Sequence, residues 1–308
     1  MRLRSVLWRV GQWIIGLAIV AIAVGRLVGE WDRLREQPVA WDVRPALLAG
    51  SALLVWAMYA LLVEAWRVVL AGWGDRLPFG TAARIWTVSS LGKYLPGKVW
   101  AIAGMALMAQ RAGVRPWSAT ASAVILQALA VGTGAAVVGG AGRASLESRY
   151  PWVPTALFAL VVASATGIAL LLWPRFVRGL LRLVRVEAEG ASPGPRAVLA
   201  GAAANLVAWT GYGLAFWLLA RGLFEAPALT PALAITTFAA SYVAGLLFLP
   251  APGGIGVRES VVILMLGAAI GEASALALAI ASRVLLTITE FGAAAPFLLA
   301  GARIRGES

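Results

Sequence analysis

Four long runs without a charged residue constrain this chain most strongly. They cover residues 117–142, 150–174, 197–220 and 226–257. Each run exceeds the roughly 20 apolar residues that an α-helix needs to cross about 30 Å of hydrocarbon. With 61% hydrophobic and 13% charged residues, 308 residues cannot provide the polar surface that a water-soluble domain needs. The sequence therefore predicts an all-α polytopic membrane protein.

Two of the apolar segments are interrupted by helix-breaking residues. The first interruption reads GKYLPGKVW at 92–100, and the second reads LPAPGGIGVRE at 249–259. Irregular backbone at membrane depth is tolerated only where it is buried in protein or lines a cavity. Each interruption carries a cation, and the two lie half a chain length apart, as in transporters built from inverted repeats. We predict that segments 81–110 and 231–270 form two re-entrant broken-helix hairpins.

The remaining apolar stretches predict about six transmembrane helices around the two hairpins. These helices are expected over residues 8–28, 45–70, 117–141, 151–173, 197–220 and 273–301. We expect a single membrane domain over 1–308 in an inverted-repeat arrangement. Its first half is 1–173, its basic linker is 174–196, and its second half is 197–308.

The distribution of Lys and Arg predicts the orientation of the chain. If both hairpins return to the side from which they entered, most arginines fall on one side, together with the N-terminus, the linker and the C-terminus. We predict that this side is cytoplasmic and that the protein lies in the inner membrane. An alternative for the N-terminus is a signal peptide cleaved near Ala21-Ile22-Ala23. The apolar stretch continues to Val28, which favours a first membrane helix.

The interrupted segments combine the features of an anion site. A half-helix that begins after Gly97 points free N–H groups and a positive dipole end into the membrane, with Lys93 and Lys98 beside it. A second half-helix near Gly256 adds Arg258, whose guanidinium matches phosphate geometry. The alternative is that each segment is an interfacial turn. In the first segment, Lys93 and Lys98 would then extend to the lipid head groups. The backbone residues that we expect to form the breaks are Pro96, Gly97, Pro252, Gly253, Gly254 and Gly256.

Further charges in apolar surroundings complete the candidate substrate-binding set. Charged side chains inside membrane segments usually face the bundle interior. Glu64 and Arg67, three residues apart, form either a helix-surface ion pair or part of the site. Arg283 and Glu290 lie on one helix face, and in the structural interpretation these two residues pair with Glu259 or Arg258. The other candidates are Glu259 and Glu290 as proton carriers, and Trp100, which either packs in the core or stacks on a sugar.

Composition argues against several other functions. The chain has no His and no Cys, so we expect no metal site and no cofactor. It has no nucleotide-binding loop, which argues against a pump driven by its own ATP hydrolysis. The net charge of +12 suits contact with anionic lipid. Nucleic-acid binding is disfavoured because the arginines are dispersed among loops.

The two interrupted segments carry a family resemblance. Gly-Lys-Tyr-Leu-Pro-Gly-Lys at 92–98 and Pro-Gly-Gly-Ile-Gly-Val-Arg-Glu at 252–259 resemble the hallmark segments of the flippase-like membrane family. That family includes the membrane portion of bacterial lysylphosphatidylglycerol synthases and relatives linked to polyprenyl-phosphate sugars. Ala65-Trp66-Arg67 and Arg283 also resemble family positions. The resemblance implies lipid translocation.

We therefore expect the protein to translocate an anionic lipid, either polyprenyl-phosphate-linked or a phospholipid with a modified head group. The alternatives are a membrane-embedded enzyme that acts on a lipid-phosphate head group and a secondary transporter of a small anion. No aminoacyl-transfer domain follows Ser308 in the sequence, and the chain lacks paired carboxylates in a short motif. On these grounds we predict that the protein is not an enzyme.

Overall fold

A computed structural model describes residues 39–94, 100–146, 153–183, 186, 192–226, 228–248 and 254–306. In this part of the chain all regular elements are helical, apart from one isolated bridge between Trp41 and Phe224. The helices are α1 (Pro45–Gly72), α2 (Phe79–Ser90), α3 (Trp100–Arg111), α4 (Pro116–Leu146), α5 (Val153–Leu171), α6 (Pro174–Leu183), α7 (Pro195–Leu223), α8 (Pro231–Leu247), α9 (Val257–Ile270) and α10 (Glu272–Gly306). A 3₁₀ turn over Leu91–Tyr94 extends α2.

Five of these helices are long and apolar enough to cross a membrane: α1, α4, α5, α7 and α10. They coincide with five of the six predicted transmembrane helices. The sixth, predicted over 8–28, lies outside the described residues. The prediction of a polytopic all-α membrane fold is confirmed. The re-entrant placement of the hairpins in a bilayer stays a prediction, because the structure contains no membrane.

The chain folds back on itself at the first interruption. A Cβ atom built on Gly92 would lie 2.7 Å from the backbone nitrogen of Ala101, and one on Gly104 would lie 3.7 Å from the Cβ atom of Ser89. The two contacts pair residues in opposite order along the chain, so α2 and α3 run antiparallel. Only glycine at position 92 leaves room for this approach.

The second interruption brings its flanks together in the same way. A Cβ atom on Gly254 would lie 2.7 Å from the Cα atom of Gly245, so α8 and the start of α9 touch through backbone atoms. Gly254 and Gly256 both have positive φ, at 69° and 84°, which glycine adopts without strain. The broken segments 81–110 and 231–270 thus each form a pair of packed helices.

The predicted linker over 174–196 begins as a helix. Its first ten residues form α6, which buries Val177 and Leu181 against the core. Sequence inspection missed this helix because the segment reads as a basic, turn-rich stretch.

The hydrophobic core consists of two clusters. One contains the C-terminal half of α1 with residues of α2 to α6, and the other is built mainly from α7 to α10. The helices that precede the two hairpins, α1 and α7, pack against each other, and Ser51 Oγ of α1 donates a hydrogen bond to the Ala215 carbonyl of α7 at 2.6 Å. The clusters therefore meet along the α1–α7 contact.

Candidate functional site

Helix α10 receives contacts from both hairpins. Lys93, in the 3₁₀ turn of the first hairpin, forms an ion pair with Glu290 of α10. Glu259, in the first turn of α9, forms an ion pair with Arg283 of α10. Arg283 and Glu290 are seven residues apart, or about 10 Å along a helix axis, and so lie on one face. The two pairs place the two interrupted segments side by side along α10.

The tip of the first hairpin is held by further contacts. The hydroxyl group of Tyr94 donates a hydrogen bond to Glu290 Oε2 at 2.7 Å and lies 3.2 Å from the Thr287 hydroxyl oxygen. Its ring stacks on Phe291 with centroids 5.6 Å apart. From α1, the Tyr59 hydroxyl group lies 3.4 Å from Glu290 Oε1. Glu290, whose side chain is 12% exposed, therefore joins three elements.

The second hairpin begins its outer helix with a carboxylate cap. Glu259 Oε2 accepts a hydrogen bond from the backbone N–H of Gly256 at 2.7 Å, while Oε1 faces Arg283. A carboxylate at a helix N-terminus satisfies donors that have no partner inside the helix and opposes the positive dipole end. The expectation that the end of this half-helix is free for a ligand is therefore modified, because the protein's own carboxylate occupies part of it.

Arg258 is held differently from the other charges. Its guanidinium carbon lies 4.7 Å from the ring centroid of Tyr242 and 5.9 Å from that of Phe238, both on α8. Its Nε atom is buried and has no hydrogen-bond partner. Within the described residues Arg258 forms no ion pair, although it lies in electrostatic range of Glu259, Arg283 and Glu290. The Arg258 guanidinium thus lies against two aromatic rings and forms no salt bridge with a carboxylate among the described residues.

Tyrosines are a component of the site that sequence inspection missed. Four of the protein's five tyrosines surround the charges: Tyr59, Tyr94, Tyr212 and Tyr242. Tyr212 stacks on Phe238, with centroids 5.7 Å apart, and Phe238 also stacks on Tyr242. The sequence contains one indication of this role for Tyr59 and Tyr212, which lie in the interior of their helices. Tyrosines that serve as interfacial anchors concentrate near helix ends instead. We call the set of Tyr59, Lys93, Tyr94, Tyr242, Arg258, Glu259, Arg283 and Glu290 the central cluster.

Other candidate residues lie apart from these contacts. Arg67 pairs with Glu64, donates from Nε to the Leu77 carbonyl at 2.8 Å, and lies over the ring of Phe79. The hydrogen bond from Arg67 to Leu77 connects the C-terminal part of α1 to the loop before α2. Trp100, at the start of α3, is 52% exposed. Gly254 and Gly256 form the turn before α9, whereas Pro96, Gly97, Lys98, Pro252 and Gly253 lie outside the described residues.

Comparison with known proteins adds a family. The model of the family described as "Lysylphosphatidylglycerol synthase TM region" matches residues 9–292 of the chain. The comparison with curated proteins finds no match. The family match confirms the resemblance drawn from the two interrupted segments.

The family description also corrects one prediction. The composition of the chain contributed to our prediction that the protein is not an enzyme. The matching family is described by a synthase activity, so this prediction is wrong. The shortage of His, Cys and paired carboxylates limits the chemistry of the described side chains, but it does not exclude an enzymatic function.

Proposed function

Because the chain belongs to the family of the lysylphosphatidylglycerol synthase TM region, and is therefore a multi-pass membrane protein involved in lipid modification or flipping, we propose that it translocates an anionic lipid. The phosphate-bearing head group binds at the central cluster, between the two interrupted segments, while the acyl or polyprenyl tails remain in the bilayer. We also propose that the protein lies in the cytoplasmic membrane, with the Arg-rich side and both termini in the cytoplasm.

The observation that carries this proposal is the state of Arg258. Arg258 is half-buried, its Nε atom is buried without a hydrogen-bond partner, and no carboxylate pairs with it among the described residues. A cation without a carboxylate partner is costly in a low-dielectric environment. Its position over the rings of Tyr242 and Phe238 stabilises the cation. Guanidinium groups match the geometry of phosphate oxygens, so an anionic head group is the ligand that best satisfies this side chain.

The charge of the whole cluster supports the same ligand. The three cations Lys93, Arg258 and Arg283 face two carboxylates, Glu259 and Glu290, so one positive charge is uncompensated within the described cluster. The Lys93 side chain is 38% exposed, which makes it the open edge of the cluster. A head group that approaches from this edge would meet Lys93 first and Arg258 deeper in the protein.

The packing of the two halves supports movement between two faces. The long helix after each hairpin, α4 in the first half and α10 in the second, packs against the first hairpin helix of the other half: α4 on α8, and α10 on α2. If the two halves are exchanged, the α4–α8 contact becomes the α10–α2 contact and the reverse. This correspondence is the pattern expected of an inverted repeat. Such repeats provide two related states in which a midplane site opens to opposite sides.

The family description also bears on the lipid. It names a lysyl-modified phosphatidylglycerol, whose phosphate is anionic although its lysyl group is cationic. We therefore propose, as the first candidate, a phospholipid with a modified head group that is bound through its phosphate, ahead of a polyprenyl-phosphate derivative. Under this proposal the membrane region works together with head-group synthesis, and takes up the lipid before or after that step.

A vesicle assay tests the proposal. The purified protein is reconstituted with fluorescently labelled phosphatidylglycerol, lysylphosphatidylglycerol, phosphatidylcholine or a polyprenyl phosphate, and the fraction of label accessible to an external reductant is followed in time. We expect faster exchange of the anionic or modified lipids than of phosphatidylcholine. Arg258→Gln should reduce that rate by at least about tenfold, as expected for loss of a charge-assisted contact.

Arg84→Gln provides the matched control, since Arg84 lies on an exposed face of α2 outside the central cluster. Its exchange rate should equal that of the unchanged protein. Equal exchange of all lipids, or an unaffected Arg258→Gln variant, would overturn the proposal. Uptake of soluble phosphate without lipid exchange would instead identify a transporter of a small anion.

A further inference from the structure

Helix α6 carries its arginines on one narrow stripe. Arg175, Arg178 and Arg182 are all exposed and lie within about 60° of the helix circumference at 100° per residue. The helix contains no acidic residue. Its buried side, with Val177 at 0% and Leu181 at 1% exposure, packs on the hydrophobic core. The stripe is therefore held in place by the protein and is directed away from it.

A second exposed face of α6 is apolar. Phe176 is 38% exposed and Leu183 is 81% exposed, and both lie about 120° around the helix from the centre of the arginine stripe. Trp173, which is 54% exposed, directly precedes the helix. The helix thus presents three faces: one packed on the protein, one apolar and exposed, and one cationic.

The position of α6 along the chain places it at the edge of the membrane. It begins three residues after Leu171, the end of the candidate span in α5, and the N–H groups of Phe176 and Val177 in its first turn donate to the Trp173 carbonyl. A short helix with an apolar face, a cationic face and an adjoining Trp at this level is typical of helices that lie in the plane of the membrane interface.

We propose that α6 is an interfacial helix that binds the anionic lipids of the cytoplasmic leaflet. Phe176 and Leu183 enter the acyl boundary, while Arg175, Arg178 and Arg182 contact lipid phosphates. The stripe is about 10 Å long, which allows it to contact several head groups. This surface is separate from the central cluster, because it lies on α6 and shares no residue with that cluster, and it does not depend on the proposed translocation.

The test uses the full-length protein, which has no native cysteine. A polarity-sensitive fluorophore is attached at Leu183→Cys, and the protein is reconstituted in phosphatidylcholine vesicles with or without phosphatidylglycerol. Quenching is measured with lipids that carry a nitroxide near the head group. We expect quenching that is at least about twofold stronger with phosphatidylglycerol at low salt, and a loss of this difference at 1 M salt, where the Debye length is about 3 Å.

Two variants with the same loss of charge separate the stripe from net charge. Replacing Arg175, Arg178 and Arg182 together by Gln should bring the ratio of quenching in the two vesicle types to about one. Replacing the exposed Arg76, Arg84 and Arg111 together by Gln should leave the ratio unchanged. Equal quenching in both vesicle types for the unchanged stripe would overturn anionic-lipid binding. Absence of quenching in either type would show that α6 faces water or another protein.

Discussion

At the scale of single residues, the central cluster separates charges that have partners from a charge that lacks one. Arg283 and Glu259 satisfy each other, and Lys93 and Glu290 do the same. Arg258 instead lies over the aromatic rings of Tyr242 and Phe238 on α8 and has a buried Nε atom without an acceptor. Removing one member of a buried ion pair is costly, whereas a cation without an ion-pair partner leaves no carboxylate unpaired when it is removed. The two arginines therefore have different expected roles.

Substitution of Arg283 and Arg258 should separate these roles. Arg283→Gln leaves the Glu259 carboxylate, which is 18% exposed, without its cation. We expect this variant to lose up to about 3 kcal/mol of stability, since breaking a buried pair is costly and this pair is partly exposed. Arg258→Gln loses only its ring contacts, worth about 1 kcal/mol. The measurement is thermal unfolding of each variant in detergent, and equal losses would show that Arg258 also has a structural role.

At the scale of elements, the geometry of the second hairpin depends on close backbone contact. The side chain of Arg258 crosses Gly245 of α8, and a Cβ atom built there would lie 2.6 Å from Arg258 Cγ and 3.3 Å from the Cα atom of Gly254. The glycine thus sets both the spacing of α8 and α9 and the path of the arginine. Protein interiors are close-packed, so such a contact cannot be relieved without movement of the helices or the side chain.

Gly245→Ala should therefore impair lipid exchange through a displaced Arg258. Overpacking of this kind typically costs about 1–3 kcal/mol, so the melting temperature should fall as well. Gly140→Ala in α4 is the matched control, because a Cβ atom there has no neighbour within 4 Å. We expect the control to keep both exchange rate and melting temperature, or to gain stability slightly from its helix propensity. A fully active Gly245→Ala variant would show that the hairpin tolerates a wider spacing.

At the scale of the whole molecule, the two halves make corresponding contacts around the α1–α7 interface. This correspondence accounts for the position of the central cluster: the hairpin of one half reaches the long helix of the other half, as Lys93 reaches Glu290 across 197 positions of sequence. An inverted repeat places the two hairpins on opposite faces of the membrane. In this arrangement, that placement predicts on which side of the membrane each loop lies.

Single cysteines report this orientation directly. We expect cysteines at positions 112 and 190 to react with a membrane-impermeant reagent from the cytoplasmic side, and one at position 145 from the other side. Position 112 is preferable to Gly113, whose φ of 83° would be strained by a side chain. Reaction of positions 112 and 145 from the same side would contradict the re-entrant placement of the first hairpin.

Binding of a head group should also stabilise the whole protein. A ligand that binds only the folded state adds about 2.7 kcal/mol at a concentration of one hundred times its Kd. We expect phosphatidylglycerol to raise the melting temperature in detergent more than phosphatidylcholine of equal chain length, and salt to reduce the difference. Arg258→Gln should lose most of this specific increase. Equal stabilisation by both lipids would show that the tails, and not the head group, are recognised.

The sequence by itself determined the class of the protein and most of its elements. Segment 45–70 was predicted as a helix and forms α1 over Pro45–Gly72. In segments 81–110 and 231–270 one described helix ends before the predicted break and another begins after it. These features depend on local properties: charge-free length, and Pro and Gly at the breaks. Helix α6 was missed because a ten-residue amphipathic helix becomes stable only when Val177 and Leu181 pack on the core.

Only the tertiary structure decided which charges meet and which charge forms no ion pair among the described residues. The spacing of Arg283 and Glu290 predicted a shared face, but their partners Glu259 and Lys93 come from different hairpins. The same holds for the tyrosines, which come from α1, α7, α8 and the 3₁₀ turn. These contacts depend on how α10 packs against the hairpins of both halves. Residue spacing encodes distances along one helix, whereas the site is formed between helices that are distant in sequence.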